Sequence, residues 1–327
     1  MSSSNALELD REVAFCGHAF GLDVEADFEI PCIQRTQETG PASTRLTRVD
    51  PKQIDRTWPR REAESIFERR LEDDKRFLTI DHHPELGYCI WARGFGRHVI
   101  ANDGLTVTSA VPSVAPWRWQ RLMFAQVLPL AAALRGLDPF HASAVASNGR
   151  AVGFVASSGA GKTTLAANLV ARGEAEFMAD DVMVLEHRNE EIVAHPGAGM
   201  MSLDPVELGK LTPAGKSRLG PSIGRDEENV HVTPTVVDSA LPLGAVYFIG
   251  RGPVVDRLEI SEDAAQDPRL LIASSFIAYL RDHHLVTHLD TCARVAKVAR
   301  LFNVSVPPTV DATALAGVIA AHIGELP

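Results

Sequence analysis

The segment Ala156-Ser-Ser-Gly-Ala-Gly-Lys-Thr163 combines glycines, a lysine and a hydroxyl in the order that grips phosphate. It follows an apolar run at 151–156 and opens an amphipathic stretch at 163–172, so the spacing predicts a strand, a tight loop and a helix. Gly159 and Gly161 let the backbone curl until several N–H groups point into one concavity, at the positive end of the helix. Ser157, Ser158, Gly159, Ala160, Gly161, Lys162, Thr163 and Thr164 are therefore the candidate contacts for the phosphates of ATP. Lys162 would neutralise phosphate charge, and the Thr163 hydroxyl would ligate Mg²⁺. One departure from the G-x-x-x-x-G-K-[ST] pattern stands out, because Ala156 occupies the first glycine position.

Two further pieces flank this loop. Phe177-Met-Ala-Asp-Asp181 is a short apolar run that delivers adjacent carboxylates at a strand end. Asp180 is the candidate Mg²⁺ ligand, and Asp181 the group that accepts a proton from an attacking hydroxyl. Phe140-His-Ala-Ser143 places His141 just before the loop's strand, 21 residues ahead of Lys162.

His141, Lys162 and the Asp180-Asp181 pair together resemble the catalytic domain of HPr kinase/phosphorylase and related HPr kinase-like serine kinases. Arg172-Gly173 followed by Ala179-Asp180-Asp181 matches the family's order with one extra residue between them. The resemblance covers about residues 138–202. It implies ATP and Mg²⁺ as cofactors, Asp181 as the base toward an acceptor serine, Asp180 as metal support, and His141 and Lys162 beside the transferring phosphoryl. The family's hexamers imply a homo-oligomer. The family's later Glu-Ile-Arg-Gly-Leu-Gly signature is matched by Ala194-His-Pro-Gly-Ala-Gly199, which keeps both glycines but places Ala194 where the Mg²⁺ carboxylate belongs. Asp204 and Glu207 are the alternative carboxylates nearby, and Lys216, Arg218 and Arg225 lie in a basic stretch read as a solvated loop.

The elements that must position these residues fall into two regions. Runs at 77–80, 88–91, 98–101 and 105–108 read as strands, separated by turn-forming 81–84, 93–96 and 102–104. The charge-dense stretch 56–76 reads as a surface helix or an exposed connection, and 117–134 as a helix with Leu122, Phe124, Val127, Leu128 and Leu130 on its apolar face. Trp117 and Trp119 read as anchors of that helix. From 138 strands and helices alternate, which implies parallel strands. The expected fold is α/β: a β-rich N-terminal domain (1–115), a connecting helix (116–136) and a P-loop catalytic domain of the HPr kinase type (137–327).

Composition agrees with a soluble globular chain of 327 residues, 45% apolar and 23% charged. A net charge of -10 argues against nucleic acid or anionic membrane as the main partner. Residues 1–12 lack the basic and apolar regions of a signal peptide, so a cytoplasmic location is expected. Cys16, Cys32, Cys89 and Cys292 are scattered and read as core or semi-buried thiols, and His284 and His288 as an exposed helix face. The function these readings favour is transfer of the γ-phosphoryl of ATP to a serine of a protein or peptide. The alternatives are a kinase for a metabolite or free amino acid, and a nucleotide-binding regulatory module without activity.

Overall fold

Every second residue of Phe15–Ala19 (β1) and Leu22–Ala26 (β2) is buried, the period of a strand with one face on a core. The computed structural model describes residues 13–37, 40, 42–252, 255–275 and 282–326. Seven further strands join these two: β3 (Gln34–Arg35), β4 (Thr44–Arg48), β5 (Glu64–Arg70), β6 (Arg76–His83), β7 (Gly87–Ala92), β8 (Gly96–Ile100) and β9 (Thr106–Ala110). The resulting sheet has the order β3-β1-β2-β4-β9-β8-β7-β6-β5. Its strands β6 to β9 correspond to the four apolar runs of the sequence. Two expectations need correction. Asp81, His82 and His83 belong to β6 rather than to a turn, and the stretch 56–76 contains neither one long helix nor a loose connection. The short helix α1 (Pro51–Thr57) ends inside it, and β5 then forms the exposed outer strand of the sheet. Charged Glu64, Glu68, Arg69 and Arg70 hide a strand whose two faces are both largely solvated.

One face of this sheet is covered by α2 (Pro116–Leu122) and α3 (Leu128–Leu134), joined by a π-helical segment, Met123–Val127. Pro129 explains the wider turn: it has no N–H to give to the carbonyl four residues back, and Leu128 reaches back to Met123 instead. Trp119 lies edge-on to Phe28 at 5.8 Å and Trp117 stacks on His231 at 4.6 Å, so both tryptophans anchor the helix as expected.

The rest of the chain builds a second sheet from β10 (Asp138–Phe140), β11 (Ser143–Ser147), β12 (Arg150–Val155), β13 (Glu176–Ala179), β14 (Met183–Arg188) and β15 (Glu191–His195), and from three strands nearer the C-terminus. Between β12 and β13 lies α4 (Lys162–Arg172), closed by left-handed Gly173. A small separate sheet comprises β16 (Met201–Leu203), β17 (Ser222–Arg225) and β18 (Val230–Val232), with α5 (Pro205–Lys210) and α6 (Pro213–Arg218) between the first two. The large sheet is completed by β19 (Leu241–Arg251), β20 (Glu259–Glu262) and β21 (Arg300–Val306), and the helices by α7 (Arg269–Ile272), α8 (Asp282–Val298) and α9 (Ala312–Gly324). This sheet is mixed. Among its described strands only the pairs β12–β19 and β19–β21 are parallel, whereas β15 is antiparallel to β19, β20 to β21, and β11 to both β12 and β13. Because β11 intervenes, β12 and β13 still point the same way and end on the same side. The molecule is thus a mixed α/β fold with two large sheets, and among the described residues no helix is long and apolar enough to cross a membrane.

The core of the first sheet reaches into the second. Val182, Val184 and Ala198 pack among the residues of the first sheet and its covering helix. Pro196 accepts from the Phe20 N–H at 2.7 Å, and Cys32 accepts from the Gly199 N–H at 2.7 Å. Gly197 sits where a Cβ would come within 3.1 Å of the Ala179 Cβ, so the segment 194–199 is built for close approach. The four cysteines are free, three of them buried.

His288 is buried, contrary to the exposed face expected for it, while the side chain of His284 lies outside the described residues. His288 donates through Nδ1 to Asp138 at 3.2 Å, Thr291 donates to the same carboxylate, and the Cys292 thiol approaches His288 Nε2 at 3.6 Å. These contacts fasten α8 to β10, the strand leading into His141. Asp138→Ala leaves two buried donors without an acceptor and should lower the unfolding free energy by about 2–3 kcal/mol in urea titrations. A change below about 0.5 kcal/mol would show that this junction does not hold the helix.

Candidate active site

The side on which β12 and β13 both end carries the residues singled out in the sequence. After β12 the backbone turns through Gly159 (φ 79°) and Gly161 (φ 96°) into α4. A side chain at either glycine would meet nothing within 4 Å, so glycine is needed there for conformation rather than for room. No side chain caps the N-terminus of α4, which leaves its first N–H groups facing the open side of the loop. Ala156 is not among the residues with positive φ, so the missing first glycine costs the loop no strain. Its carbonyl accepts from Lys162 Nζ at 2.8 Å. Ser157, Ser158 and Gly159 are exposed, Ala160, Gly161, Thr163 and Thr164 half-buried, and Lys162 buried. Arg251, at the end of β19, reaches over the loop. It donates to the carbonyls of Ala160 and Val310, at 3.2 and 2.9 Å, and nothing in its sequence context signals that role.

Asp180 and Asp181 diverge sharply although they are adjacent. Asp180 turns toward the loop, where one of its oxygens accepts from the Thr163 hydroxyl at 2.8 Å and from Ser143 at 2.7 Å. Burial pushes its pKa up to about 6, against the pull of those two hydroxyls. Asp181 sits at φ 66°, bridged by a 2.8 Å bond from the Val182 N–H to the Asp180 carbonyl. That is a γ-turn of the strained, positive-φ kind. It costs on the order of 1–3 kcal/mol and turns the second carboxylate away from the first.

His141 joins the two halves. Lys162 Nζ donates to His141 Nε2 at 3.2 Å, which leaves Nδ1–H to donate to Asp181, 3.1 Å from its carbonyl oxygen and 3.2 Å from Oδ1. Burial pulls the Lys162 pKa down, countered by Asp181 and Asp180. Lys162, His141 and Asp181 thus form one connected chain, in which the ring is hydrogen-bonded to the Asp181 carbonyl with the carboxylate oxygen close by.

Beside this chain opens a cleft of about 490 Å³. Ser158, Thr163, Asp180 and Asp181 line it together with residues of β5, β6, β7, α2, the π-helical segment and β16, and with Phe95, Met200 and Asn229. The first sheet therefore forms part of the site, a feature invisible in the sequence because its contributing strand residues, Arg69 to Ala92, lie 88 to 111 positions before Asp180.

The remaining sequence candidates lie elsewhere. Ala194 is buried in β15 and supplies no ligand. Asp204 caps α5 by accepting from the Val206 and Glu207 N–H groups, and Glu207 pairs with Lys210 at 2.6 Å. Lys216 and Arg218 are helical residues of α6 bonded to the carbonyls of Gly209 and Ala171, not members of a loop, and Arg225 ends β17.

No protein-family model matches the chain, and no curated protein does. Among solved structures 82 chains match. One is the HPr(Ser) kinase/phosphatase from Coxiella burnetii, 14% identical, with 57% of this chain and 88% of that chain covered and a TM-score of 0.31.

Because the folded chain binds the Asp180 proton more tightly than the unfolded chain, this residue should make stability fall as pH rises from about 4 toward 6. Asp180→Asn keeps an acceptor oxygen for both hydroxyls but removes the charge. Its stability relative to the parent should improve by about 1–3 kcal/mol between pH 4 and pH 7.5, measured by denaturant titration without metal. An unchanged difference across that range would show that Asp180 carries no desolvation penalty.

Proposed function

We propose that the chain is an ATP-dependent serine kinase of the P-loop type, with ATP and Mg²⁺ at the loop and a serine of a protein or peptide as acceptor. The observation that carries this reading is the chain from Lys162 through His141 to Asp181, at the edge of a cleft that also reaches Thr163. The open curve of the loop at 157–161 and the uncapped start of α4 suit a polyphosphate.

The residues present fit a magnesium ion. Asp180 is a desolvated carboxylate in contact with two hydroxyls and no cationic side chain, an arrangement that a divalent ion would stabilise. Thr163 and Asp180 would hold it, with water and phosphate oxygens completing its shell. Bound there, Mg²⁺ supplies neutralisation of charge on the phosphates. Among the described residues no group of three or more His, Cys, Asp or Glu side chains could hold a metal ion by itself.

Asp181 accepts the proton of the acceptor hydroxyl as its oxygen forms a bond to the γ-phosphorus. The bond from that phosphorus to the bridging oxygen breaks, and ADP leaves with the electron pair. Lys162 meets the negative charge on the phosphates, and His141 keeps Asp181 and Lys162 in register. Nearly all the acceleration in such a transfer comes from positioning and electrostatics, which these side chains can provide.

Asp181→Asn should reduce transfer at least about 1000-fold, the span typical of a lost general base, with Mg·ATP affinity within about threefold of the parent. Transfer is followed with γ-labelled ATP and a host-cell lysate or serine peptides, and binding by calorimetry. A variant that transferred at the parental rate would remove Asp181 from the chemistry.

A further inference from the structure

We infer that the cleft between the acidic pair and the first sheet is the acceptor site, and that it selects a short extended peptide carrying a serine, an apolar neighbour and an acidic side chain. The inference rests on the kinase reading and names its substrate class.

The cleft has a volume of about 490 Å³, the size of a site for a few residues or a small ligand. Its lining combines groups of different chemistry. Asp181 and Thr163 are among them, so the reacting hydroxyl belongs beside these two. Another part of the lining is apolar and aromatic. Phe77 and Phe95 meet edge to face at 6.0 Å, both half-buried, and Phe124 closes the wall from the π-helical segment. Half-buried rings lining a cleft leave apolar surface for a ligand to cover.

Two arginines complete the contrast. Arg69 projects from β5, lies 5.7 Å from the centre of the Phe77 ring, and makes no ion pair with any described residue. Arg121, also in the lining, differs: it is paired with Asp226 and lies over the Phe95 ring. Arg69 is therefore the cation left for the ligand, in a chain whose net charge is -10. A carboxylate on the acceptor complements it. A peptide can present a hydroxyl, an apolar side chain and a carboxylate to these parts of the lining at once, which free serine cannot.

The test uses the full chain, Mg²⁺, γ-labelled ATP and amidated tetrapeptides. Each peptide carries serine at one end, Phe or Gly beside it, and Asp, Asn or Lys beyond, in both sequence orders. Free serine serves as the compact acceptor. The parent should phosphorylate the peptide with Phe and Asp best, with KM about fivefold lower than for its Asn counterpart, the worth of one partly solvated ion pair. Arg69→Gln should erase the Asp-over-Asn preference, and Arg69→Glu should move the preference to Lys, both with Mg·ATP affinity unchanged. Such a reversal is not produced by a loss of stability. A panel phosphorylated without regard to neighbour or charge, one in which no peptide accepts phosphate, labelling of free serine alone, or a ranking untouched by both Arg69 variants overturns the acceptor assignment. Mg·ATP binding that depends on Lys162, measured on the same samples, separates the two levels. Its presence leaves the kinase reading standing when the panel fails, and its absence removes both.

Discussion

Two hydroxyls, from Ser143 on β11 and Thr163 on α4, converge on one carboxylate oxygen of Asp180. That contact ties three chain segments together at the side where β12 and β13 end, and the geometry of the site follows from it. With Asp180 drawn inward, the chain must reverse at once to keep Asp181 in the open, and the positive-φ γ-turn does so. The same contact places a carboxylate where water hydrates it poorly, hence its raised pKa. A site that costs stability in the absence of cation and nucleotide is the expected form of one built to bind them.

The second sheet alone would leave this arrangement open to solvent on one side. The segment 194–199 prevents that by docking the first sheet against β13. Phe20 and Cys32 bond to its backbone, and Gly197 permits contact with Ala179, the residue before the acidic pair. Where a side chain at 194 faces a core rather than a metal, the glycines of this segment act through packing. The wall opposite Asp181 is thus supplied by β5, β6, β7 and the helix that covers them, and the N-terminal region becomes part of the site rather than an appendage.

Legibility in the sequence followed the range of the interactions involved. The loop at 156–163 and the acidic pair are local patterns whose chemistry depends on residues a few positions apart, so their positions were readable, as was the helix over 117–134. The divergence of Asp180 from Asp181 was not, because it needs Ser143 and Thr163 from other segments. The stretch 64–70 concealed a strand because an outer strand with two solvated faces lacks apolar alternation. His288 read as part of an exposed helix face, and the approach of Asp138, 150 positions earlier, makes burial of its ring favourable. The mixed direction of the second sheet was hidden for a similar reason: strand-helix alternation marks β12 and α4, but the pairing of β11 with β13 is settled by tertiary contacts.

The central claim is that the loop between β12 and α4 holds a triphosphate with its terminal phosphate turned toward Asp181. A crystal structure with Mg²⁺ and a non-hydrolysable ATP analogue tests it most directly. The account predicts phosphates cradled by backbone N–H groups of residues 158–163, Lys162 on the terminal phosphate, the metal on Thr163 and Asp180, and Asp181 facing that phosphate across the cleft. A nucleotide bound elsewhere, or a loop left without phosphate at saturating analogue, would contradict it.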